Sequence, residues 1–328
     1  MEKSFLNPSE PNYISPQEDI RAVEAMILAQ ADGYQQDLKA ALEHLLASGG
    51  KRIRPTIMIY IGRMLGADPQ YLLTMAAAIE LLHTATLVHD DLIDGSLLRR
   101  GIPTLNAQWT PGATVLTGDF LFSKAAKLAA NTHSIPVIQL FTDTLATIVN
   151  GEITQMFNNR CRINRDEYYV RIYAKTASLF ETSAASAAML SNVDQATTEK
   201  MSRFGNYLGM AFQIIDDILD FTGQQDTIGK PVGNDLRQGL VTLPTILFAE
   251  SNPDDIAVNQ LMQGDCVQNS KQLNELILAI QKSNAPRLAL AEAKRFVELG
   301  IEQLADAPEG FERNQLVQIA RFIVDRKL

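Results

Sequence analysis

Residues 82–94 read LHTATLVHDDLID and residues 208–220 read LGMAFQIIDDILD. Each is an apolar helical run that ends in Asp-Asp-apolar-apolar-Asp, and the two lie 126 residues apart. On a helix, positions i and i+4 stack, so Asp90 and Asp94 share a face while Asp91 lies about 100° round it. Asp216, Asp220 and Asp217 repeat the arrangement. Like charges at that spacing repel by a few tenths of a kcal/mol in water. Three carboxylates with apolar flanks therefore predict a compensating cation. Hard oxygen donors in that number suit Mg²⁺, which keeps its waters and bridges carboxylates to substrate phosphates. One such motif alone reads equally well as a solvated helix end. Two copies predict carboxylate triads that face each other across a bundle, a cage for a polyanion and several divalent ions.

The rest of the chain supports helices around these two. Apolar residues recur at three- and four-residue spacing in segments rich in Ala, Leu, Met, Gln and Glu. The pattern predicts helices over 17–31, 34–47, 53–66, 69–93, 113–131, 135–158, 166–191, 195–222, 241–250, 254–264, 270–281, 285–306 and 311–326. Gly49-Gly50, Gly66 to Pro69, Gly101 to Gly112 and Gly223 to Gly239 supply the breaks. No alternating run is long enough for a sheet. The expected class is all-α, one domain over residues 1–328 built as a bundle of about 13 helices, with residues 1–12 frayed.

Composition narrows the function. Hydrophobic residues make up 46% and charged residues 20% of the 328, an ordinary globular balance that excludes disorder and collagen-like repeats. A net charge of −9 lacks the electrostatic footprint of a nucleic-acid binder. The acidic, polar first twenty residues predict no signal peptide, and no eighteen consecutive apolar residues occur, so membrane contact is expected to be peripheral at most. Cys161 and Cys266 fit no metal or redox spacing and are expected to be reduced thiols in a cytoplasmic protein.

Basic groups cluster beside the acidic ones. Gly49-Gly50-Lys51-Arg52-Ile53-Arg54-Pro55 places three cations after a helix break, and Arg99 and Arg100 follow the first triad directly. Lys175-Thr176 and Gly229-Lys230 add others. Arginine matches phosphate oxygens bidentately and lysine acts as a point charge. Any one cluster alone is more often surface charge than a site.

Five motifs in order, GGKRIRP (49–55), HDDLIDGSLLRRG (89–101), KTASLF (175–180), FQIIDDILD (212–220) and GKPVGNDLRQG (229–239), make the chain resemble the trans-isoprenyl diphosphate synthases, the polyprenyl synthetase family. The resemblance runs from Gly50 to about Pro244. It implies a helical bundle around a deep central cavity, usually a homodimer, that joins isopentenyl diphosphate to an allylic diphosphate. By the same resemblance Asp90, Asp91, Asp94, Asp216, Asp217 and Asp220 hold about three Mg²⁺ on the allylic diphosphate. Arg99, Lys175 and Lys230 would contact that diphosphate, with Thr176 beside Lys175 and Gln213 near the allylic group. Lys51, Arg54, His83 and Arg100 would bind isopentenyl diphosphate. One departure is visible: Leu240 stands where many members have lysine. His89 receives no role.

The rivals are a terpene cyclase or head-to-head synthase, which needs no second basic pocket, and a non-catalytic subunit of a heteromeric synthase, which should have lost aspartates. Product length has its own signal. Thr86 and Ala85, four and five residues before Asp90, are small, where a bulky aromatic in the resembling family stops growth at three isoprene units. Below them come Leu82 and Leu81, then Ala78 and Ala77. Since a helical turn of roughly 5.4 Å matches one extended isoprene unit, the expected product has at least four units and is long-chain. Phe120, Phe122 or Phe157 on another helix could still set the floor, which leaves geranylgeranyl or farnesyl diphosphate as the alternative product.

Overall fold

The computed structural model describes residues 13–157, 161–222 and 232–325; Lys230 and the stretch 1–12 expected to fray lie outside the described residues. Helices dominate, as expected. The first half holds α1 (Gln17–Leu28), α2 (Gln36–Ala47), α3 (Ile53–Leu65), α4 (Pro69–Ile93), the short α5 (Leu105–Gln108), α6 (Pro111–Ala130) and α7 (Ile135–Phe157). The second half holds α8 (Arg165–Ile172), α9 (Ser178–Leu190), α10 (Gln195–Thr222), the short α11 (Asn234–Arg237), α12 (Leu243–Ser251), α13 (Ile256–Gln263), α14 (Ser270–Lys282), α15 (Ala285–Gln303) and α16 (Phe311–Val324).

Capping chemistry fixes the boundaries that matter. The Asp68 carboxylate accepts from the N–H groups of Gln70 and Tyr71, and Pro69 takes the first helical position, where its missing N–H costs nothing. Thr110 and Pro111 repeat the device and start α6 two residues before the expected position. With 25 residues α4 is about 37 Å long. It has the length and apolarity of a membrane-crossing segment, but 72% of that window is buried inside the protein, which makes it a core helix. It packs on α6 and α3, α10 packs on α15 and α9, and contacts between α3 and α9 join the halves. One apolar cluster runs through both. Both aspartate motifs therefore hang from helices held on several sides, where each fully buried Leu or Ile contributes about 1.5–3 kcal/mol.

The structure departs from the sequence expectations in four places. The helix expected over 166–191 is interrupted by a π turn at Tyr173–Ala177 between α8 and α9. Two glycines locate it. A Cβ on Gly209 of α10 would lie 2.5 Å from the Ala177 Cα, and one on Gly151 of α7 would lie 2.7 Å from the Ala174 Cβ. The turn is clamped between two helices that come this close only because they carry glycine there. In the loop after α4, Leu98–Arg99 (β1) and Ile102–Pro103 (β2) pair antiparallel, with Leu98 opposite Pro103 and Arg99 opposite Ile102. Arg100 and Gly101 both take positive φ, 51° and 78°, as a two-residue hairpin turn requires. Two-residue strands leave no alternation to detect. The loop expected from Gly223 to Gly239 contains α11.

The fourth difference corrects the cysteine expectation: Cys161 and Cys266 form a disulfide, with Cα atoms 5.0 Å apart across 105 residues of sequence. Spacing along the chain carried no information because the contact is tertiary. The Cys161 N–H donates to the Gly239 carbonyl at 2.7 Å and the Ile163 N–H to the Leu261 carbonyl at 3.4 Å. These bonds lay residues 161–163 across two distant segments and bring Cys161 to Cys266.

Candidate active site

The two aspartate motifs meet at one cavity. Asp94 of the first and Gln213 and Asp217 of the second line a polar space of about 150 Å³ together with Lys175, Arg171 and Asp235. Lys175 comes from the π turn. An inserted residue re-aims side chains in a helix, and such turns recur at functional sites. Here Lys175 Nζ stands 2.7 Å from Glu152 Oε1 and 3.7 Å from Asp90 Oδ2. Burial pushes the Asp90 carboxyl up to about 6, Lys175 opposes that rise, and Glu152 and Asp94 add to it.

Within each motif the middle aspartate differs from the outer two. Asp91 is buried, and the Arg99 guanidinium donates to both its oxygens, Nε at 2.9 Å to Oδ2 and Nη2 at 2.9 Å to Oδ1. Asp217 is also buried, accepting from Gln213 Nε2 at 2.8 Å on one oxygen and from the Tyr168 hydroxyl at 2.8 Å on the other. Burial pushes its carboxyl up to about 8, Asp235 adds to that, and the two donors oppose it. The outer carboxylates Asp90, Asp94, Asp216 and Asp220 keep solvent access. Asp220 also receives the N–H groups of Asn234 at 3.1 Å and Asp235 at 3.2 Å, tying the start of α11 to the end of α10. Thr176 donates to Gln213 Oε1 at 2.6 Å, so the expected Lys175-Thr176 and Gln213 residues belong to one hydrogen-bonded set.

The basic residues gather around His83. Burial first, then Arg54, Arg99, Arg100 and Arg52, hold its imidazole well below the ordinary value, so it is neutral at pH 7. Arg100 donates to the Gly49 carbonyl, bringing the hairpin tip onto the glycine loop before α3. Arg54 lies 4.6 Å from the Phe180 ring centre, while Lys51 is turned over Phe322 at 4.3 Å. Of the three cations in the loop, Arg52 is a core residue: it pairs with Glu80 at 2.8 Å and Glu24 at 3.0 Å.

Two product-length expectations need correction. Thr86 shares the flank of Asp90 and is half-buried, whereas Ala85 is wholly buried in the core, because a step of five residues turns about 140° away from Asp90. Phe157 is 82% exposed and cannot floor a cavity. Phe120 packs on Tyr34 and Phe122 on His89. His89 Nε2 donates to the Val115 carbonyl at 3.1 Å, a packing role. Leu240 lines the polar cavity.

Sequence reasoning missed Glu152, Tyr168 and Arg171. The available signal for Glu152 was a mid-helix glycine directly before an acid; Tyr168 and Arg171 carry no signal in a single sequence. For a metal, the donor set is all hard oxygen. Among the described residues no three acidic, histidine or cysteine side chains converge on one point. Carboxylate oxygens of this kind suit an ion that takes one or two carboxylates plus water and substrate phosphate, the habit of Mg²⁺.

Known proteins resemble this chain in sequence and fold. The family model described as Polyprenyl synthetase matches residues 35–280. The chain is 34% identical to Heptaprenyl diphosphate synthase component 2 of Bacillus subtilis (strain 168), over 100% of this chain and 90% of that one. It is 33% identical to Octaprenyl diphosphate synthase of Escherichia coli (strain K12), over 98% and 99%. The crystal structure of a polyprenyl synthase from Caulobacter crescentus CB15, complexed with calcium and isoprenyl diphosphate, superposes with a TM-score of 0.87 at 33% identity, covering 95% of this chain and 96% of that one. On these matches, this chain is a prenyltransferase that belongs to the polyprenyl synthetase family.

Proposed function

We propose that the chain catalyses Mg²⁺-dependent, head-to-tail condensation of isopentenyl diphosphate with an allylic diphosphate, giving a long-chain trans-polyprenyl diphosphate. The observation that carries this reading is the meeting of both aspartate motifs at one cavity with a separate cluster of arginines around a neutral His83. One pocket suits a metal-bound diphosphate and the other a second diphosphate.

In this reading Asp90, Asp94, Asp216 and Asp220 would hold the ions, while Asp91 and Asp217, which the resemblance implied as ligands too, are buried on Arg99 and on Tyr168 and Gln213 and would orient their motifs. Mg²⁺, about three ions per site when substrate is bound, supplies charge neutralisation for the leaving diphosphate. Lys175, Arg99 and Lys230 hold the allylic diphosphate as its C–O bond breaks, with Thr176 and Gln213 beside the allylic group. Lys51, Arg54, His83 and Arg100 hold isopentenyl diphosphate so that its double bond faces the allylic carbon. The new C–C bond forms from that double bond, and the proton lost from the adduct goes to the released diphosphate.

The proposal extends to one domain over residues 1–328, supported by the continuous apolar core. It includes a homodimer. Leu116 on α6 and Ile153 and Met156 on α7 are large, apolar and exposed, and a second copy would cover them. The Bacillus subtilis relative is named as one component of a synthase, which favours a second reading in which that face takes a different chain. The purified chain, given labelled isopentenyl diphosphate and allylic starters, tests both. Elongation by this chain alone supports the proposal; turnover only after another polypeptide is added supports the second reading.

A further inference from the structure

Tyr168 is 1% exposed, and its hydroxyl donates to Asp217 Oδ2 at 2.8 Å. Phenylalanine would fill the same volume, so the hydroxyl adds one hydrogen bond to a buried carboxylate that is costly to bury without partners. The bond crosses between elements: Tyr168 sits on α8, Asp217 on α10. The other oxygen of Asp217 is held by Gln213, one turn away on the same helix, and Gln213 is held by Thr176. Tyr168 itself is fixed. Its ring meets Tyr169 edge-on at 5.4 Å, and the Tyr169 hydroxyl donates to Glu292 on α15. Arg171 lies 5.5 Å from the ring centre and donates to the Val241 carbonyl at 2.5 Å.

The first motif offers a comparison. Its middle carboxylate, Asp91, is tied to another element by the charged Arg99. The tie on Asp217 comes from a neutral hydroxyl, so it orients the carboxyl group without adding a cation beside it. We propose that Tyr168 is a positioning residue which, through Asp217, fixes the orientation in which α10 presents Asp216 and Asp220 to a magnesium–diphosphate complex. This inference rests on the reading of the second motif as metal-holding. Loss of a direct partner of a metal ligand typically lowers metal affinity about 10–100-fold, and Tyr168 acts one step further out, so the lower end of that range is expected.

The test uses the full chain and inorganic diphosphate, with no isopentenyl diphosphate and therefore no turnover. The readout is the Mg²⁺ concentration that gives half of the thermal stabilisation produced by saturating Mg²⁺. Tyr168→Phe should keep wild-type helical circular dichroism and need about tenfold more Mg²⁺. In an Asp217→Asn background the same substitution should add little, because the hydroxyl acts through that carboxylate. A folded Tyr168→Phe with the wild-type midpoint overturns the inference, as does an equal shift with and without Asp217, or a Tyr168→Phe that fails to fold. If the wild type shows no Mg²⁺-dependent stabilisation, the metal-holding reading itself is wrong, and the inference goes with it.

Discussion

Lys175 Nζ stands 3.7 Å from the Asp90 carboxylate and 2.7 Å from Glu152, so the π turn brings a cation between the first aspartate motif and α7. Glu152 restrains the ammonium that the proposed chemistry aims at a diphosphate. Glu152→Gln should preserve the fold and lower kcat/KM for the allylic substrate by about tenfold, the scale of one charge-assisted hydrogen bond. Steady-state kinetics with each substrate varied in turn checks it; an effect confined to isopentenyl diphosphate contradicts the assignment.

The raised carboxyls make the metal-free protein pH-sensitive. Asp90 at about 6 and Asp217 at about 8 bind protons more tightly folded than at the ordinary value of 3.8. Where the native state binds more protons than the unfolded chain, stability falls as pH rises. In chelator, urea midpoints should therefore drop between about pH 4 and pH 8, and Asp90→Asn should flatten the lower part of that slope. Stability that rises through this window in chelator, and is insensitive to Asp90→Asn, contradicts the burial of these groups.

The two diphosphate pockets should separate kinetically. Arg54→Ala should raise KM for isopentenyl diphosphate by about 10–100-fold, while Lys175→Ala and Lys230→Ala act on the allylic substrate. Leu240 lines the polar cavity, so Leu240→Lys would add a cation there and should tighten allylic binding. The reverse split would leave the reaction class standing and the pocket assignments wrong.

The disulfide closes a loop of 105 residues. Chain entropy for a loop of that length amounts to about 4.7 kcal/mol, and measured values usually fall near 2–4 kcal/mol. Reduction with a dithiol, or Cys266→Ser, should lower unfolding stability by that order in urea titrations. Two titratable thiols in the native, air-oxidised protein would show that the bridge is absent.

Product length should respond to Thr86 more cleanly than to Ala85. Thr86 lies half-buried on the Asp90 flank, so Thr86→Phe should shorten the product distribution. Ala85 has no exposed surface, and Ala85→Phe overpacks the core at a cost of about 1–3 kcal/mol. The pair together should push products toward the fifteen-carbon length, with reduced thermal stability traceable to position 85.

How far the sequence carried depends on whether a feature is local. Helices α4 and α10 were legible because their periodicity and caps lie within one window: Asp68-Pro69 starts α4 where expected, and Asp216 and Asp220 fall one turn apart. The facing of the two motifs followed from their repetition and the resemblance. What failed was tertiary. The Cys161–Cys266 bridge, the core pairing of Arg52 with Glu80, and the clamp of Gly151 and Gly209 on the π turn all depend on which distant segments meet. Position 85 was misplaced for a different reason: five residues is not a helical repeat, so Ala85 lies about 140° round from Asp90.

Product analysis decides the matter. The purified chain should be incubated with Mg²⁺, an allylic starter and labelled isopentenyl diphosphate, and its hydrolysed products resolved by length. Metal-dependent elongation at the paired aspartate motifs predicts a ladder extending to about four or more isoprene units, abolished by chelator and by Asp90→Ala or Asp216→Ala in folded protein. Label incorporation that persists in excess chelator, or a wild-type product that stops at fifteen carbons, contradicts it.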